Sequence, residues 1–241
     1  MADHSVHTSS GDGVARVEFD NATRGNCFTE DALADLVAAL EEAAARPETS
    51  AVRLVMAGRH FSAGWDTADF ARLRAASPAE VSASLRANDR QLARIRDLPV
   101  PVVTSVHGRV AGFGVGLLAH VHVPVSSHDA TLALPEAAFG ICPGGVLHTL
   151  LHTVPRPAVE LLALSGAHAD ATDMLQWGLV ASIAPPDRAD ERADEIAAAI
   201  AAQPPGIARR IHAATAATLE AASPEPAYAA AAASITGGET S

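Results

Sequence analysis

The chain has 241 residues, 49% hydrophobic and 19% charged, which supplies a sizeable core and excludes both a disulfide-stapled miniature and a disordered chain. All 17 basic residues are arginine, so Schiff-base catalysis, a lysine-anchored pyridoxal group and a Walker-type phosphate lysine are excluded. Against 28 acidic residues they leave a formal net charge of −11, which speaks against nucleic acid and anionic membrane surfaces as partners.

Cys27 and Cys142 stand alone, far apart in sequence, with no framework for disulfides or zinc. The N-terminus has neither a cationic start nor an apolar stretch, and no later run reaches the roughly 18 apolar residues of a membrane span. The expectation is a cytoplasmic protein, neither secreted nor membrane-spanning.

In chain order, residues 15–19 alternate as a half-buried strand, and the turn-rich run from Asp20 to Asn26 follows. A helix starts at Thr29 or Glu30, with Leu33, Leu36, Val37 and Leu40 at helical spacing, and Pro47 ends it. Residues 51–56 form a buried strand. Pro78 sits in the first turn of a second helix carrying Val81, Leu85, Leu92 and Ile95, closed by Pro99 and Pro101 before a strand at 102–106. A glycine-rich turn at 108–116 leads into an apolar helix, and short strands are predicted at 121–125 and 130–134. Beyond Pro143 the pattern is helical, apart from a strand at 179–183, and a last short helix is expected at 226–235. The fold class is α/β, with a helical C-terminal region.

Three segments carry candidate chemistry. Arg59-His60-Phe61-Ser62-Ala63-Gly64-Trp65-Asp66 follows a strand, and its small residues let a backbone N–H point into a cleft, while Asp66 suits a helix N-cap. Gly108 to Gly116 places Gly112-Phe113-Gly114 at a helix start, where free N–H groups and the helix dipole favour an anion. Its glycine spacing does not match the dinucleotide-binding fingerprint. Pro135-Glu136-Ala137-Ala138-Phe139-Gly140-Ile141-Cys142-Pro143-Gly144 holds Glu136, the one acid between Asp129 and Glu160, in an apolar setting that raises a carboxyl pKa and suits proton transfer. Taken singly, each segment also has a purely structural explanation, as a loop, a close helix–sheet contact and a solvated glutamate.

Together, in this order and at these separations, the three segments resemble the crotonase superfamily, the enoyl-CoA hydratase/isomerase family. The resemblance runs from about Val14 to Ile183 and includes Thr172 to Val180. It implies a β-β-α spiral core over 1–184 and a helical region at 185–241 that closes the pocket and builds a homotrimer or dimer of trimers, to which Ile207, Ile211, Ala214 and Leu219 contribute. The implied substrate is an acyl thioester of CoA or of an acyl carrier protein, with no separate cofactor and no metal. By position in the motifs, the amides of Trp65 and Phe113 hold the thioester oxygen and Glu136 is the catalytic acid/base. Arg24, Ala63, Gly64, Asp66, Gly112 and Gly144 are assigned to substrate binding.

The family's hydratases carry a second glutamate on the oxyanion helix, and Gly116 stands at that position here. A single carboxylate favours isomerase-like proton shuttling, because addition of water commonly divides its work between two carboxyl groups. The alternatives are a hydratase or dehydratase in which Asp69, His148 or His152 replaces the missing acid, and a catalytically silent binding or assembly subunit. Trp65 is expected to narrow the acyl pocket. His120 and His122 are expected on one strand, facing the same side; with His128, His148 and His152 they lack the nearby Cys, Asp or Glu partners of a zinc-like spacing, so packed or surface positions are expected.

Overall fold

The computed structural model describes residues 4–220; the helix expected at 226–235 lies outside them. A hairpin opens the fold: β1 (Ser5–Gly11) pairs antiparallel with β2 (Val14–Asp20). The turn is Asp12-Gly13, both with positive φ (50° and 78°), the twist that a two-residue hairpin loop requires. Strand β1 escapes the sequence pattern because its serine-rich stretch is largely exposed and has no apolar alternation.

Next come helix α1 (Glu30–Ala45), strand β3 (Ala51–Met56), helices α2 (Thr67–Ala75) and α3 (Pro78–Arg96), and strand β4 (Val102–Val106). Thr29 caps α1 by accepting from the Ala32 N–H, and Leu33, Leu36, Val37 and Leu40 are buried as their spacing demands. Ser77 and Glu80 close a reciprocal capping box around the start of α3, with Pro78 in the first turn. Strand β5 (Arg109–Ala111) lies inside the glycine-rich turn and leads into α4 (Phe113–Ala119).

Strands β6 (Val123–Ser127) and β7 (Thr131–Ala133) precede helices α5 (Gly144–Leu150) and α6 (Arg156–Ser165), strand β8 (His168–Ala169), helix α7 (Ala171–Gln176), strand β9 (Ser182–Ala184) and helices α8 (Ala189–Ala201) and α9 (Ile207–Glu220). The large sheet has the order β1-β2-β3-β4-β6-β9, parallel from β2 onward, and β5, β7 and β8 form a small second sheet. The chain therefore turns from one sheet to the other at residues 107–108 and 128–130. These corners, together with the loop after β3, position the site.

Two predicted strands shift. Residues 121 and 122 are not in a strand, because His120 terminates α4 and donates from Nδ1 to the Gly116 carbonyl at 2.8 Å. His120 and His122 consequently do not share a strand face. His122 instead accepts the Val102 N–H at Nδ1 and donates from Nε2 to the Arg96 carbonyl, both at 2.9 Å, and burial pushes its pKa down to about 4. Residues 179–181 precede β9 rather than belonging to it: the Leu179 amide bonds back to Met174, which makes Leu179 and Val180 the buried end of a helix turn.

Helix α8 lies on the large sheet, with Ala189, Ala193 and Ala197 against Ala51, Val103 and Val125. It is also tied by Arg53, only 2% exposed, which pairs with Asp190 and Asp194 at 2.7 Å each. Removing both acids would leave a buried charge unpaired, a loss of about 3–5 kcal/mol. On α9, Arg209 donates to the carbonyls of Ala44, Arg46 and Thr49, while Ile211 and Leu219 remain 60% and 83% exposed.

Candidate active site

The loop after β3 is built around small residues. Ser62 is fully buried; its hydroxyl donates to the Asn26 carbonyl at 2.8 Å and accepts the Gly64 N–H at 3.1 Å. Gly64 has φ +99°, and a β-carbon there would lie 2.8 Å from the Ala111 carbonyl and 3.4 Å from the Phe113 nitrogen. Only glycine brings the two backbone segments this close. Gly114 is equally constrained, since a β-carbon would meet the Ser62 side chain at 2.7 Å. The loop is bridged to Phe28 by the Phe28 N–H on the Gly64 carbonyl and the Asp66 N–H on the Phe28 carbonyl. This pairing skips the Trp65 amide, and the Phe113 amide opens α4. Among the described residues neither N–H has an acceptor.

The side chains of those two residues pack edge to face, with ring centroids 4.9 Å apart, and Phe28 continues the cluster at 5.8 Å from Phe113. The indole Nε1 of Trp65 is buried without a partner. Asp66 is buried, caps α2 through the Ala68 N–H at 2.8 Å and pairs with Arg24 at 2.6 Å. Arg24 and Asp66 thus lock the loop after β2 to the loop after β3, and the N-cap expected for Asp66 is present alongside. Burial, then the Asp66 charge, pushes the neighbouring Cys27 thiol above its ordinary pKa. Ala63 is exposed at the same loop.

Glu136 sits on a 3-10 turn (Pro135–Phe139), half-buried. Its Oε1 rests against Gly112, where a β-carbon would approach to 2.7 Å, and its Oε2 is buried with no hydrogen-bond partner. Burial raises its pKa above the usual carboxylate range, with a backbone N–H pulling weakly the other way. An unpartnered, desolvated carboxyl beside the start of α4 is the arrangement expected of a group that exchanges a proton with a ligand.

The structure therefore brings together Trp65, Phe113, Gly64, Gly112 and Glu136, with Arg24 and Asp66 bracing the loop. Gly144 starts α5 in open space. Gly116 is buried, and a β-carbon on it would touch Leu92 at 3.4 Å and Val146 at 3.6 Å, so apolar side chains flank the place of the absent second acid. His148 and His152 are exposed and meet edge to face with centroids 4.9 Å apart. The Asp69 side chain lies outside the described residues. Among the described residues no three His, Cys, Asp or Glu side chains gather to hold a metal, and no helix is long and apolar enough to cross a membrane.

Sequence reasoning missed Asn26, which has φ +54° and donates to the carbonyls of Ala57 and His60 at 2.7 and 2.8 Å, fixing the start of the loop. The dipeptide Gly25-Asn26 after a strand was its one visible trace.

A family model described as enoyl-CoA hydratase/isomerase matches residues 9–236. The chain belongs to this family. A similar protein, "(7aS)-7a-methyl-1,5-dioxo-2,3,5,6,7,7a-hexahydro-1H-indene-carboxyl-CoA hydrolase" of Rhodococcus jostii, is 32% identical over 81% of this chain and 74% of its own length. A probable enoyl-CoA hydratase of Bacillus subtilis is 31% identical over 75% of this chain and 70% of its own length. The crystal structure of an enoyl-CoA hydratase from Mycobacterium smegmatis superposes with a TM-score of 0.85 at 26% identity, covering 96% of this chain and 89% of that one. The fold is the crotonase fold of this enzyme family.

Proposed function

We propose that the protein acts on acyl-CoA thioesters through an enolate whose oxygen is held by the Trp65 and Phe113 amides, with Glu136 as the one proton carrier, and that its reaction is an isomerase-like shift of a double bond. The observation that carries this is the Glu136 carboxyl: desolvated, with one oxygen unpartnered, beside the free Phe113 amide. In a 3-enoyl thioester the Glu136 carboxylate removes a proton from C2, and the electron pair moves onto the thioester oxygen as a dienolate. The two amides oppose that charge without reorganising. The same carboxyl, now protonated, delivers its proton to C4, and the double bond lies between C2 and C3. One base suffices for this cycle, whereas hydration must also place and activate water.

A second reading, hydrolysis with Glu136 activating water, is favoured by the hydrolase among the relatives. A panel of 3-enoyl, 2-enoyl and saturated acyl thioesters separates the reactions. Isomerisation leaves the mass unchanged and shifts the enoyl absorbance, hydration adds water, and thioester hydrolysis releases a free thiol. Running the panel with both CoA and carrier-protein thioesters decides the carrier. Rapid isomerisation of the 3-enoyl thioester without thiol release is the expected result, and hydration of the 2-enoyl thioester at an equal or greater rate overturns the isomerase assignment.

Assembly as a cytoplasmic homotrimer belongs to the same proposal. Its support is the outward apolar surface on α6, where Leu161 and Leu164 are 55% and 79% exposed, and on α9, where Ile211 and Leu219 project. Light scattering at micromolar concentration is expected to give three chains per particle, or six for a dimer of trimers, and a monomer would contradict it.

A further inference from the structure

At the corner where β3, β4 and β6 hand the chain to the small sheet lies a cavity of about 450 Å³ lined by Arg59, His60, His107, Arg109, Asp129 and His168, with none of the catalytic candidates in its wall. From this cavity we infer a second binding site, for a small phosphorylated molecule whose phosphate sits between the Arg59 and Arg109 guanidinium groups.

The charges support an anion. In a chain of net charge −11, two arginines and three histidines face one space. Among the described residues, neither Arg59 nor Arg109 has an ion-pair partner. The cavity's own acid, Asp129, accepts the Ser127 hydroxyl, and Asp190 on α8, whose charge also reaches His107, is held by Arg53 and Ser105. Burial first, and then the charges of Arg59, Arg109 and His107, disfavour the protonated form of His60. Such crowding of like charge is a cost that a dianion relieves.

The imidazoles are also oriented. His60 accepts the Arg109 backbone N–H at Nδ1, 3.2 Å away, which places its proton on Nε2 as a donor. His107 donates from Nε2 to the Gly58 carbonyl at 3.1 Å, which fixes the ring in the cavity wall, and its Nδ1 is buried with no partner. The corner is built for this closeness: Gly108 has φ +59°, and a β-carbon on it would collide with the Arg59 carbonyl and lie 2.8 Å from His60 Nδ1. Two guanidinium forks and several imidazoles offer more donors than a carboxylate can accept, and match a phosphate with three terminal oxygens. The volume leaves room for an organic remainder.

The test is calorimetric titration of the full chain with inorganic phosphate, then with glycerol 3-phosphate, each at ionic strength held constant with sodium chloride. One saturable site per chain is expected, with glycerol 3-phosphate binding more tightly than phosphate. Arg59→Gln and Arg109→Gln, both at exposed side chains, should each weaken it about tenfold or more, with the fold verified by circular dichroism. Arg24→Ala should leave it unchanged. Absence of a saturable heat up to 20 mM (about the weakest affinity a site of this kind would show) overturns the inference. So does binding that survives both glutamine variants, or that is lost in Arg24→Ala, which would put the anion in the acyl-thioester site instead.

Discussion

Gly112 and Glu136 are in direct apposition: a β-carbon on Gly112 would lie 2.7 Å from Glu136 Oε1, and Gly112 holds φ +51°. The first residue before α4 is thus the surface on which the Glu136 carboxyl rests. Gly112→Ala is expected to fold with a loss of about 1–3 kcal/mol from the strained backbone, and to lose activity more than stability because Glu136 must move. Thermal melting beside steady-state kinetics checks this; an alanine variant with wild-type turnover would show that Glu136 does not depend on that apposition.

Glu136 also has a stability signature. Its folded pKa is raised by burial, so the native state favours the protonated form, and the contribution is present below the unfolded pKa and lost as pH rises through the folded one. Glu136→Gln removes a carboxylate that is poorly solvated at neutral pH. The variant should melt above wild type at pH 7, with the gap closing as pH falls below the ordinary glutamate range. A gap of the same size at pH 4 and pH 7 would contradict the assigned shift.

Phe113 supplies an amide and a ring, and the two can be separated. Phe113→Pro removes the N–H at a position where a helix tolerates proline, and should lower turnover by about 10² to 10³-fold. Phe113→Ala removes the ring that packs on Trp65 but keeps the N–H, and should cost stability while retaining far more activity. Equal losses in turnover would mean that the ring, not the amide, is what matters.

The single-acid proposal makes Gly116 the position to change. A methyl group there makes ordinary contact with Leu92 and Val146, and alanine is the better helix former, so Gly116→Ala should be neutral or stabilising by up to about 1 kcal/mol. Gly116→Glu puts a carboxylate among apolar neighbours and should lower the melting temperature. Paired with Leu92→Ala to open space, it should raise hydration of a 2-enoyl thioester relative to isomerisation by about tenfold, or roughly 1.4 kcal/mol of barrier. No change in that ratio in a folded double variant would count against the single-acid account.

The motifs were legible because each is a local demand on residue type. Gly64, Gly112 and Gly114 stand where a β-carbon would strike backbone, the Glu136 carboxyl or the Ser62 side chain, and Pro78 and Thr29 mark helix starts through their own chemistry. What escaped is set by contacts distant in sequence. Strand β1 is held by pairing with β2, and β8 has only two residues. His122 reads as a strand residue until the Arg96 carbonyl and the Val102 amide claim its two nitrogens. Arg59, His60, Arg109 and His168 come from three separate segments, and no spacing rule announces that they share a cavity.

The most direct test of the central claim follows the substrate's α-proton. A saturated acyl-CoA incubated with the protein in D₂O and observed by proton NMR should lose its C2 proton signal at a rate set by enolate formation. Glu136→Gln should slow that exchange by about 10² to 10⁴-fold, the worth of a positioned base, while thioester binding changes far less. Exchange at the wild-type rate in folded Glu136→Gln would contradict the assignment of Glu136 as the proton carrier.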